Sequence, residues 1–85
     1  MKKNDVLKYL DDIRGEIQDL SLKVWSNPEV SGEEKESANL FRKILKDYDF
    51  KIKGIDGMEH AFIAEYGSGS PVIAVLGEYD ALPGL

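Results

Sequence analysis

Residues 72–85 read Val72-Ile73-Ala74-Val75-Leu76-Gly77-Glu78-Tyr79-Asp80-Ala81-Leu82-Pro83-Gly84-Leu85, and the first five of them decide the fold. They form a continuous apolar run of strand length, entered from the turn-forming Gly67-Ser68-Gly69-Ser70-Pro71. A strand with one wet face alternates apolar and polar residues. A run apolar at every position wants cover on both faces, as the central strand of an α/β sheet has.

Two shorter segments precede it. Phe50, Ile52 and Ile55 alternate with Lys51 and Lys53, and Ala61-Phe62-Ile63-Ala64-Glu65-Tyr66 is a second, half-buried candidate. Asp56-Gly57 between them is turn chemistry, and the Gly/Ser stretch at 67–70 reads as a hairpin turn. No Gly-Lys-Ser/Thr follows that stretch and no helix starts there, so it is not a phosphate cradle. Strands over residues 50–55, 61–66 and 72–76 would make a three-stranded meander.

Further upstream the period changes to that of a helix. Val6, Leu7, Leu10, Ile13, Ile17, Leu20, Val24 and Trp25 recur at steps of three and four between charged residues. Asn4 or Asp5 can cap the start of this helix, Pro28 ends it near Ser26, and Trp25 is expected in the core. Gly15 costs roughly 1 kcal/mol relative to Ala inside a helix, which points to a close-packing position. Ser31-Gly32-Glu33-Glu34 has capping-box spacing, so a second helix is expected from there. Its apolar face would carry Ala38, Phe41, Ile44, Leu45 and Tyr48, antiparallel to the first helix. The Glu33-Glu34-Lys35-Glu36 run is that cap plus a solvated helix face, and His60 is a surface or turn histidine. The expected fold is therefore α/β: two antiparallel helices packed on a three-stranded sheet.

Composition narrows the function. Among 85 residues, 11 Lys and Arg face 16 Asp and Glu, a net charge of −5, with the cations scattered among carboxylates. Nucleic acid and anionic membrane surfaces need a basic stripe, so neither is an expected partner. No apolar run reaches the ~18 residues of a membrane span, and the amino terminus lacks the pattern of a secretory signal, so a cytoplasmic location is the expectation. With no cysteine, neither disulfides, thiolate zinc sites nor a cysteine nucleophile can form, and one histidine leaves few imidazole ligands.

Ligands collect at the carboxyl ends of strands in open α/β sheets, which draws attention to Glu78 and Asp80 directly after the buried run. Two residues apart, they lie on one side of an extended segment and offer hard oxygen ligands to a divalent cation. A solvated acidic strand exit fits the same spacing.

Two blocks resemble a known family. Trp25-Ser26-Asn27-Pro28-Glu29-Val30-Ser31-Gly32-Glu33-Glu34 is similar to the amino-terminal segment of the zinc aminoacylase and carboxypeptidase family of amidohydrolases. Val75-Leu76-Gly77-Glu78-Tyr79-Asp80-Ala81-Leu82-Pro83-Gly84 is similar to that family's first active-site motif, His-x-Asp-x-x-Pro in the peptidase branch. The likeness is strongest to the aminobenzoyl-glutamate-utilising branch, and it spans residues 20–85 in collinear blocks.

The resemblance implies hydrolysis of an amide bond to an amino acid, in a small N-acyl amino acid, aminobenzoyl-glutamate or dipeptide-like substrate. It also implies zinc or another divalent metal that activates water in the full-length family. Asp80 matches the motif's Asp, which orients a metal ligand, and is the candidate catalytic residue. Glu78 stands where the peptidase branch has a zinc-binding His and is the candidate metal ligand. The remaining ligands and the general base of the family lie in later segments. Residues 1–85 are thus expected to be an amino-terminal fragment of a single catalytic domain, with no metal bound and no hydrolysis by this chain alone. An exposed third-strand edge would favour self-association. The alternative is a small stand-alone acidic α/β protein-interaction module without catalysis.

Overall fold

The computed structural model describes residues 2–84. Helix α1 spans Lys3–Ser26 and α2 spans Lys35–Asp47, followed by strands β1, Lys51–Ile55, and β2, Met58–Glu65. The first helix begins two or three residues earlier than the capping candidates suggest. Lys2 occupies the cap position, and Asp5 serves from inside the first turn, its Oδ2 accepting the Lys2 N–H at 3.1 Å. Gly15 lies in mid-helix, and a Cβ built there meets nothing within 4 Å, which corrects its reading as a close-packing position.

The second helix starts later than expected. The Ser31/Glu34 capping box does not form. Residues 30–33 make a turn, with the Glu33 N–H donating to the Val30 carbonyl at 2.9 Å and Gly32 at φ 88°, and Glu34 stands at the cap position. At the other end α2 closes in a Schellman arrangement. Phe50 N–H donates to the Leu45 carbonyl and Asp49 N–H to the Lys46 carbonyl, both at 3.0 Å, with Asp49 left-handed at φ 67°.

The two helices run antiparallel, as the pattern predicts. The start of α2 lies beside the end of α1, where Glu36, Ser37 and Leu40 face Lys23, Val24 and Asn27. The end of α2 reaches the middle of α1, where the Tyr48 hydroxyl donates to Glu16 Oε2. Because α1 is 24 residues and α2 only 13, the first half of α1 projects past its partner with Val6, Leu7, Tyr9 and Leu10 exposed.

The sheet is two-stranded and antiparallel, with α2 packed on both strands. Lys51 pairs with Glu65 and Gly54 with Phe62, then the register shifts so that Ile55 pairs with Met58 across the Asp56-Gly57 turn. The shift leaves Glu59, His60 and Ala61 without partners in the ladder, and side chains take up their carbonyls. Arg42 Nη2 donates to the Glu59 carbonyl at 2.8 Å and to that of Ala61 at 3.5 Å, and the Tyr79 hydroxyl donates to that of His60. The Arg42 guanidinium also lies 5.2 Å from the centroid of the Phe62 ring.

The expected third strand does not form: residues 72–76 are without ladder partners. Val72, Val75 and Leu76 are 87%, 93% and 92% exposed. A strand exists only through its neighbours, and β1 and β2 pair with each other alone. Trp25, expected in the core, is 78% exposed. The fully enclosed interior among the described residues comprises Ser37 and Ala38. An accessible surface of 7493 Å² compares with about 5,000 Å² for a closed domain of this mass. A radius of gyration of 14.8 Å compares with about 12 Å for a compact chain of this length.

Candidate functional site

The two sequence blocks singled out above meet in space. Glu29, inside the first block, bonds in two directions. Its carboxylate reaches the first turn of α2, Oε2 accepting from the Glu36 N–H at 2.9 Å and Oε1 from the Ser37 N–H at 2.7 Å. Those amides have no intrahelical acceptor, so a carboxylate seven and eight residues upstream replaces the missing cap. Its carbonyl oxygen accepts from the Ala81 N–H at 2.7 Å, and Val30 bridges to Ala81 in parallel sense. Hydrogen bonding from Ser37, side chain first, holds the Glu29 carboxyl below its ordinary range. Partial burial opposes that shift, and the Glu36 amide and nearby His60 assist it.

Tyr79 is the second anchor. Its ring stacks on Phe41 of α2 with centroids 5.1 Å apart and planes 22° apart, and its hydroxyl bonds to β2 at His60. Burial pushes its phenol pKa up. The Arg42 guanidinium works against that, and the Glu34 and Glu29 carboxylates add to it. Glu34 Oε1 is buried beside this cluster with no hydrogen-bond partner.

Glu78 and Asp80, one residue to either side of Tyr79, are both exposed, while Tyr79 and Ala81 are half-buried. That alternation turns Tyr79 and Ala81 toward the fold and leaves Glu78 and Asp80 at the surface. Glu78 stands with Tyr79 at an open, mainly apolar groove of about 400 Å³ between the helices, walled by Leu20, Val24, Trp25 and Phe41. The pair does not follow the tip of a strand, as the sequence suggests. It is held instead by contacts to residues 29–30, α2 and β2. His60 is within β2 and largely covered, its Nε2 4.0 Å from the Glu59 carboxylate, not on a free turn. No motif or spacing in the sequence assigns work to Glu29, Tyr79 or Arg42. The signal for Glu29 was its place inside the first block, and the signal for Tyr79 was an aromatic between two acids.

Among the described residues no three His, Cys, Asp or Glu side chains are placed to hold a metal ion together. Nor is any helix of these residues long and apolar enough to cross a membrane.

Comparison with curated proteins gives a relative that matches nearly the whole chain. Over 86 aligned residues, 95% of this chain, it is 37% identical to a subunit of p-aminobenzoyl-glutamate hydrolase from Escherichia coli (strain K12). The chain spans 18% of the length of that relative. No protein-family model and no solved structure matches the chain.

Proposed function

We propose that these 85 residues are the amino-terminal part of a metal-dependent amidohydrolase that cleaves an amide bond to an amino acid, of the N-acyl or aminobenzoyl-glutamate type. The observation that carries this reading is the 37% identity to a hydrolase component over nearly the whole chain. The bonding of the two motif blocks to each other supports it. Asp80 is the residue proposed to orient a metal ligand, and Glu78 the one proposed to lie at the metal.

The metal itself does not fit the residues of this chain. A catalytic zinc takes about three protein ligands, and no such group exists among the described residues. The remaining ligands and the general base are proposed to lie in further residues of the hydrolase, and residues 1–85 alone are proposed to hydrolyse nothing. Residues 72–76 are proposed to be covered there, and to promote self-association when left bare. The test is Asp80→Asn in the complete hydrolase, assayed on aminobenzoyl-glutamate. A fall in kcat of about 10- to 100-fold is expected for loss of a metal-tuning contact, and an unchanged rate overturns the assignment.

A further inference from the structure

The acidic loop is held by more than its own sequence. Glu29 forms three bonds in two directions, its carboxylate to the α2 amides of Glu36 and Ser37 and its carbonyl to the Ala81 N–H. Tyr79 ties the same loop to α2 through Phe41 and to β2 through the His60 carbonyl. Since side chains alternate along residues 78–81, turning Tyr79 inward turns Glu78 and Asp80 outward together.

We propose that Glu29 and Tyr79 are positioning residues, which together fix where the carboxylates of Glu78 and Asp80 stand relative to α2 and β2. Glu29 sets the loop along the chain by pinning Ala81, and Tyr79 sets its rotation by fixing which side faces in. Each works through an element defined elsewhere in the sequence. The placement of the acidic pair thereby depends on the Asn27-Pro28-Glu29-Val30 loop and on the register shift in β2 that frees the His60 carbonyl. Both act through the loop they hold and not on substrate directly. The consequence for catalysis rests on the function proposed above, whereas the holding of the loop does not.

The test uses the complete hydrolase with two variants, Tyr79→Phe, which keeps the ring on Phe41 and removes the hydroxyl, and Glu29→Ala, with Glu29→Gln as the conservative rescue. Amide hydrogen exchange at Ala81 reads the holding directly. It is expected to quicken at least about tenfold in Tyr79→Phe and Glu29→Ala and to return toward wild type in Glu29→Gln. Unchanged exchange in both variants overturns the proposal whatever the activity. With aminobenzoyl-glutamate as substrate, kcat should fall about 10- to 100-fold while KM stays within about twofold. Quickened exchange with kcat unchanged shows a merely structural tie and overturns the positioning role. If the wild type cleaves no acyl amino acid, the functional reading fails, and exchange at Ala81 alone still decides whether Glu29 and Tyr79 hold the loop.

Discussion

Asp49 closes α2 at φ 67°, a conformation that favours glycine, and it does so because the Schellman bonds from Phe50 and Asp49 require it. Asp49→Gly should therefore stabilise the fold by roughly 0.5–1 kcal/mol, read as a higher thermal midpoint. Gly15 is the reverse case: it is helical, with open space where a Cβ would go. Gly15→Ala should add about 0.5–1 kcal/mol and raise the helical circular dichroism signal.

The Glu29 carboxyl is held below its ordinary value of 4.5 by its bonds to Ser37 and Glu36. Its stabilising contribution is thus complete above that value and is lost as pH falls through the lower folded-state value. Amide exchange at Glu36 and Ser37 should quicken across that acid window in wild type, and show no such step in Glu29→Gln. At this scale the exposure of Glu78 and Asp80 on either side of a half-buried Tyr79 follows from local two-residue spacing. The work of Glu29 does not, since its bonds cross from one loop into the next helix and obey no fixed spacing.

Among the elements, Arg42 joins α2 to the sheet. Its guanidinium bonds two carbonyls that the register shift in β2 sets free and lies against Phe62. Arg42→Ala should cost about 1–3 kcal/mol, with the loss read in denaturant midpoints and the hairpin amides losing protection first. Both helices and the β1–β2 hairpin follow from local signals: a 3.6-residue apolar period and Asp56-Gly57 between alternating runs. The third strand was read from its apolar composition alone. That composition states what residues 72–76 need, namely cover on both sides, and not what the described residues supply. Trp25 is the same case: the apolar stripe places it on the inner face of a helix, and it stands 78% exposed at the rim of an open groove.

For the whole molecule, the surface of 7493 Å² against about 5,000 Å² for a closed domain is the physical sign of an open core. Residues 72–76 and the overhanging half of α1 are where further cover would fit. Alone, the 85-residue chain should self-associate with rising concentration in sedimentation, and Val75→Lys should weaken that association by placing a charge in the apolar run. The most direct measurement of the central claim is zinc-dependent hydrolysis of aminobenzoyl-glutamate, compared between the longer protein that these residues are proposed to begin and residues 1–85 at equal concentration. Hydrolysis by the complete protein that a chelator abolishes, with none above background from the 85 residues, is the predicted result. Turnover by the 85 residues themselves, or a complete protein indifferent to both zinc and substrate, would contradict it.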